Sequence, residues 1–236
     1  MAVDVNPFGE NHQPGTTRPG NQYQATPQGV PSQAEHAYLA LRDLILSLQL
    51  APGAPVQEEP LTKELGLGRT PFREAIKRLE AESLVAIYPR RGTFVTEVNI
   101  TDHALIADVR RRLEGHAARR AAERLTEIER DELRALATEI GTMPAGQTAI
   151  MGLDTRIHRT VYRCTHNRYL ESTLGHYYNL ALRIWCLFFD QLTDVAQHVA
   201  EHTTLLEAII DGDAEAADSM AVEHVDHFEH AIRQVI

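Results

Sequence analysis

The chain has 236 residues, 43% of them hydrophobic, which is enough for two cores, and it contains no run of 18 apolar residues that could span a membrane. Its net charge of −10 is unevenly spread: residues 69 to 91 carry six bases against three acids, whereas 99 to 236 carry 14 bases against 22 acids. Screening confines surface electrostatics to about 10 Å at ordinary salt, so the acidic half does not exclude a polyanionic partner for the basic segment.

Residues 1 to 31 hold five prolines and four glycines among Asn, Gln and Thr, with no periodic apolar face. Such a segment cannot bury enough surface to offset its ordering entropy and is predicted to be a disordered tail. It also lacks the basic-then-apolar order of a secretory signal. The two cysteines, Cys164 and Cys186, offer no disulfide framework and fit a reducing cytoplasm.

Tyr38, Leu41, Leu44, Ile45 and Leu48 recur at three and four residues, which predicts a helix over 33–50 stopped by Pro52-Gly53. A second helix is expected over 58–65 and a third over 70–82. In the third, Phe72, Ala75, Ile76 and Leu79 form the buried side and Arg69, Arg73 and Lys77 lie along another face. Residues 85–88 and 93–96 read as paired strands around Arg90-Arg91-Gly92. Residues 32–98 thus have the order of a winged helix-turn-helix DNA-binding domain.

From 101 onward the pattern is helical throughout. Thr101 is placed to cap a helix reaching about 124, and Thr126 with Glu129 fits a capping box for the next. The stretch TMPAG at 142–146 is a break. Further helices are expected over 147–165, 168–190, 194–211 and 214–235, with Gly212-Asp213 as a stop and a new cap. The fold class is therefore mainly α, the winged domain being followed by an all-α bundle over 99–236.

Arg69 and Arg73, early in the third helix, can each meet guanine O6 and N7 with two hydrogen bonds, worth roughly 1–3 kcal/mol of discrimination. Thr70 offers a hydroxyl and a methyl, and Lys77 adds charge one turn further on. Pro71 is tolerated in the first turn, where its missing N–H has no helical partner. Gly92 permits a tight wing, from which Arg90 and Arg91 can enter a narrow minor groove or clamp phosphate. Arg-x3-Arg alone would favour a solvated basic face; the preceding helix, the turn and the wing favour DNA.

Leu61, Leu65-Gly66, Arg69-Thr70-Pro71, Arg73-Glu74-Ala75, Arg78-Leu79-Glu80, Leu84-Val85 and Arg91-Gly92-Thr93-Phe94-Val95 resemble, in order and spacing, the DNA-binding domain of the GntR family of bacterial regulators. Two positions depart from that pattern. Gly68 replaces a Ser that would cap the third helix and touch a phosphate, and Glu59 stands where some relatives place a DNA-contacting Arg.

In the helical half, Asp154 and His158 lie four apart and so share a helix face, with His202 and His224 on later helices. Three imidazoles and a carboxylate suit Zn2+ or another first-row ion such as Ni or Mn. On spacing alone they are equally readable as core or surface histidines, since His198, His227 and His230 flank them. The segment also resembles the FCD ligand-binding domain of the FadR subgroup, through Val109-Arg110-Arg111-Arg112-Leu113-Glu114, Asp154-x3-His158, Asn167, Glu201-His202, Asp213 and His224. The resemblance implies that Asp154, His158, His202 and His224 hold a divalent metal.

Arg110 falls where that subgroup places an inward arginine suited to a carboxylate effector; the alternative is a salt bridge to Glu114. Arg183, a base in an apolar helix, either lines the same cavity or snorkels outward. Tyr177, Tyr178 and Trp185 are placed to shape a pocket or to fill a core. The resemblances imply a cytoplasmic homodimeric regulator, a repressor in the first instance, that binds a pseudo-palindromic operator and answers to a small carboxylate metabolite. A metal sensor is the alternative. A hydrolase would need a general base beside metal-bound water, and there is no His-Glu-x-x-His pattern.

Overall fold

The computed structural model describes residues 32–142, 146–193 and 195–236; the tail expected over 1–31 lies outside them. Helix α1 (Gln33–Leu46) starts where the Ser32 hydroxyl accepts a hydrogen bond from the Glu35 N–H at 3.1 Å. It buries Ala37, Tyr38, Leu41, Ile45 and Leu46. It ends well before Pro52-Gly53, against expectation, because the chain turns at Ser47, whose hydroxyl bonds back to the Asp43 carbonyl at 2.6 Å, and Leu48 then adopts a left-handed φ of 59°.

Helices α2 (Glu58–Glu64) and α3 (Arg69–Ala81) are joined by a turn through Gly66, whose φ of 64° suits glycine. The buried face of α3 is the one its periodicity gives: Phe72, Ala75, Ile76 and Leu79. Strands β1 (Val85–Tyr88) and β2 (Gly92–Val95) pair antiparallel, with Val85 opposite Val95 and Tyr88 opposite Gly92. A bridge between Pro55 and Phe94 covers part of the free edge.

A 3-10 turn at Ile100–Asp102 opens the bundle, capped by Asn99, whose side chain accepts from the Thr101 N–H at 3.1 Å. Thr101 is therefore inside the turn and Asn99 is the cap, since its carbonyl reaches the free amide two residues on. Helix α4 (His103–Arg124) follows, then α5 (Glu127–Gly141) behind the expected Thr126–Glu129 capping box. Helices α6 (Gln147–Cys164) and α7 (Arg168–Phe188) come next; Asn167 caps α7 through the Tyr169 and Leu170 N–H groups. The helix expected over 194–211 is two pieces, α8 (Val195–Ala200) and α9 (His202–Asp211), separated at Glu201. No proline or glycine marks that break. Glu201 instead faces His198, His224 and His227. Gly212 ends α9 at a left-handed φ of 77°, and Asp213 caps α10 (Ala214–Arg233) at the Ala216 N–H.

Helices α4 and α10 make the most extensive pairing in the bundle. Gly115 of α4 permits it: a Cβ there would lie 2.9 Å from Val222 Cγ2 and 3.2 Å from the Asp218 carbonyl on α10. Cys164 is buried and Cys186 half-buried, both free, and burial pushes each thiol up to about 12. Among the described residues no helix is long and apolar enough to cross a membrane.

Candidate functional site: DNA-reading face and metal centre

Arg69, Thr70, Arg73 and Lys77 are all exposed on α3, away from its buried face, and Arg90, Arg91 and Gly92 are exposed at the hairpin tip. Arg73 donates through Nε to Glu58 Oε2 of α2 at 2.9 Å. An exposed pair of this kind is weak, so exchanging Glu58 for a base edge or phosphate costs little. Arg78 instead fastens α3 to α1: its Nη1 donates to Glu35 at 2.6 Å and its guanidinium lies 3.5 Å from the Tyr38 ring centroid. In the wing, the Arg91 N–H closes on the Tyr88 carbonyl at 3.0 Å and Arg90 takes a φ of 63°. As the sequence anticipates, Gly68 gives α3 no side-chain cap.

Asp154 and His158 from α6, His202 from α9 and His224 from α10 converge, with a ligand atom from each within 4.8 Å of the others and all four residues buried. His158 and His202 bring their Nε2 atoms to 3.2 Å, and Asp154 Oδ1 is 3.8 Å from each. The opposite ring nitrogens have acceptors. His158 Nδ1 meets Glu114 Oε2 at 3.2 Å, His202 Nδ1 meets the Val199 carbonyl at 3.1 Å, and His224 Nδ1 meets Glu201 Oε2 at 3.3 Å. Acceptors at those distances favour the proton on Nδ1, which leaves the Nε2 lone pairs of His158 and His202 facing the cluster.

The other Asp154 oxygen, Oδ2, accepts from the Tyr178 hydroxyl at 2.7 Å, while Oδ1 is buried without a hydrogen-bond partner. Lone pairs that converge without a donor between them repel one another and leave a buried acceptor unsatisfied, which a cation relieves. The donor set therefore fits a divalent metal ion. Burial first, then the neighbouring His158, depresses His202 to about 4; burial and the surrounding imidazoles depress His224 as well. Both rings are thus neutral at pH 7, the state that ligates.

Behind His158, burial pushes the Glu114 carboxyl up, but Arg110 and His158 outweigh it and hold it at about 2. Arg110 Nε donates to Glu114 Oε1 at 2.5 Å, so the salt bridge is formed, and Arg110 also lines the cavity beside the cluster. Tyr178, Leu182, Trp185 and His198 complete that wall; Tyr177 belongs to a different cleft. The space left is about 10 Å3, the lower bound for one water.

Arg183 is not brought into this cavity. It is buried on α7 and reaches the base of the wing, where Nη1 donates to Thr96 Oγ1 at 2.8 Å and Nη2 to the Thr96 carbonyl at 2.5 Å. Burial lowers its guanidinium to about 10. Of the groups that support the ligands, the sequence pattern held Glu201, the residue before His202, without assigning it a role, and passed over Val199.

A basic helix and wing on a small domain, joined to a helical bundle, define a DNA-binding regulator. The profile described as "Bacterial regulatory proteins, gntR family" matches residues 33–95, and that of the "FCD domain" matches residues 105–227. The chain is 29% identical over 191 residues to an HTH-type transcriptional regulator in an unstable DNA locus of Streptomyces ambofaciens, covering 80% of each. It is 23% identical to the HTH-type transcriptional repressor RspR of Escherichia coli, over 85% of this chain and 89% of RspR. It is 28% identical to a probable D-xylose utilization operon transcriptional repressor of Paenarthrobacter nicotinovorans, over 75% and 78% of the two chains. Among solved structures, E. coli McbR/YncC superposes with a TM-score of 0.76 at 21% identity, covering 87% of this chain and 99% of that one. At that identity the likeness shows the fold alone.

The chain belongs to the GntR family of bacterial transcription regulators, with an FCD domain following its DNA-binding domain.

Proposed function

We propose that this protein is a cytoplasmic, homodimeric repressor whose residues 32–98 bind a pseudo-palindromic operator and whose residues 99–236 sense a small carboxylate beside a divalent metal. Arg69, Thr70, Arg73 and Lys77 read the major groove, and Arg90, Arg91 and Gly92 hold the wing against the backbone or minor groove. Asp154, His158, His202 and His224 hold the metal, with zinc the first choice and nickel or manganese compatible with the same donors. When bound, the ion supplies a positive centre for the effector carboxylate, and Arg110 presents a guanidinium beside it.

The observation that carries this reading is the position of α7. One helix supplies Tyr178, Leu182 and Trp185 to the cavity wall and Arg183 to Thr96 at the wing base. A cavity of about 10 Å3 cannot admit a carboxylate unless that wall moves. Displacing α7 strains the Thr96 contact and changes the presentation of the wing. A coupling of about 1–3 kcal/mol gives roughly a 5–150-fold change in operator affinity.

Trp185 is the single tryptophan of the chain, so its fluorescence reports this wall directly. Genomic fragments selected by the purified protein identify the operator, and the adjacent genes nominate carboxylates. The effector should shift Trp185 emission and release operator at the same concentration. His202→Ala should lose both responses while still binding operator; loss of operator binding in a folded variant would sink the division of labour. The small cavity equally supports a second reading, in which the ion is itself the signal. In that case metal alone, added to metal-free protein, changes operator affinity and no carboxylate adds to it.

A further inference from the structure

A second cavity, of about 770 Å3, opens between α1 and the end of α3 on one side and α6 and α7 of the bundle on the other. Its size is within the roughly 300–1,000 Å3 of small-molecule sites. Four arginines line it, Arg42, Arg78, Arg159 and Arg168, against two glutamates, Glu82 and Glu171. Two of the four are already neutralised: Arg78 by Glu35 and Glu82, and Arg42 by Asp43 at 2.8 Å.

Arg159 is not. Among the described residues it has no carboxylate within salt-bridge distance, and its one hydrogen bond is a long 3.4 Å contact to Asn179 Oδ1. Arg168 likewise has no acidic partner among the described residues and donates only to the Tyr169 hydroxyl at 2.9 Å. A half-buried guanidinium without a counter-charge is unfavourable unless something anionic completes the site.

We propose that this cleft binds a small phosphate-bearing anion, anchored by Arg159 and assisted by Arg42 and Arg168. Guanidinium groups pair bidentately with phosphate oxygens, and a dianion offsets the two charges that the protein leaves uncompensated. The ligand touches both parts of the chain at once: Arg42 lies on α1, Arg159 and Arg168 on the bundle. Tyr162 forms part of the cleft wall, and its hydroxyl is 3.1 Å from His158 Nδ1. The site is separate from the metal cavity and does not depend on a carboxylate effector.

The test is thermal denaturation of the metal-loaded full chain in inorganic phosphate, compared with chloride at equal ionic strength, with glycerol phosphate as a second arm. Phosphate should raise the wild-type midpoint, and Arg159→Gln should abolish the shift. Without phosphate, Arg159→Gln should be no less stable than the wild type, since it removes an uncompensated charge. Arg159→Lys, which keeps the charge without the fork, should weaken binding about tenfold or more. A tighter response to glycerol phosphate would mean that the cleft takes an organic ester; an equal response would mean that phosphate alone suffices. Equal shifts in wild type and Arg159→Gln, no shift in wild type, or full affinity in Arg159→Lys each overturn the proposal.

Discussion

Arg90 is held at a φ of 63°, a conformation in which a side chain costs about 1–3 kcal/mol. Its wing position and exposure give a reason for tolerating that cost. Arg90→Gly should leave the melting temperature unchanged or raise it by about 2–4 °C, because relief of strain is partly offset by glycine's greater unfolded-state freedom. The same variant should weaken operator binding and lower the salt-dependence slope by about 1. Calorimetry and binding isotherms at several salt concentrations would separate the two effects; equal losses of stability and affinity would refute the strain argument.

The buried imidazoles fix the acid limit of the metal-free protein. His202 binds its proton at about 4 when folded and near 6.5 when unfolded, so between those values the unfolded state carries the extra proton. Its stabilising contribution is complete above pH 6.5 and is lost as pH falls toward 4; His224 acts in the same direction. Glu114, held at about 2 against an ordinary 4.5, extends the loss below pH 4.5. Melting temperature against pH should therefore fall in two stages. In His202→Asn the upper stage should shrink, and an unaltered profile would reject this assignment.

At the scale of elements, Gly115 is the point where α4 admits α10. Gly115→Ala should cost about 1–3 kcal/mol by overpacking, and should weaken metal binding because α10 carries His224. Gly152→Ala in α6, where a Cβ meets nothing within 4 Å, should instead stabilise by about 0.5–1 kcal/mol. Denaturant titration with metal-binding isotherms tests both; similar outcomes at the two glycines would contradict the packing account.

Elements governed by local chemistry were legible in the sequence. The Thr126–Glu129 box, the Gly212-Asp213 stop and the apolar face of α3 all depend on residues within one or two turns. The early end of α1 and the Glu201 break were not, because neither carries a proline or glycine at the break itself. The four candidate ligands stood out as residue types with one helical spacing and a family pattern behind them. Of their supports, Glu114 and Glu201 were visible only as members of the family pattern and Val199 not at all, since all three act on the ligands through geometry. Arg183 illustrates the limit: its charge in an apolar helix signalled importance, but Thr96, its partner, is 87 residues away.

For the whole molecule, α7 is the proposed line of communication. Arg183→Gln should leave metal stoichiometry unchanged but reduce the ratio of operator affinities measured with and without signal, bringing it toward one. A ratio equal to that of the wild type would mean that communication runs elsewhere.

The basic helix face and wing tip are at one part of the chain, while residues 99–236 carry eight more acids than bases. Along the chain this asymmetry sets a basic segment against an acidic one, which favours one orientation near a nucleic-acid surface. The molecule's rotational diffusion on approach is biased before any contact forms, turning the wing toward the duplex and the bundle away. Fewer encounters are then spent in useless orientations, and the association rate, more than the lifetime of the complex, should be the quantity that added salt depresses.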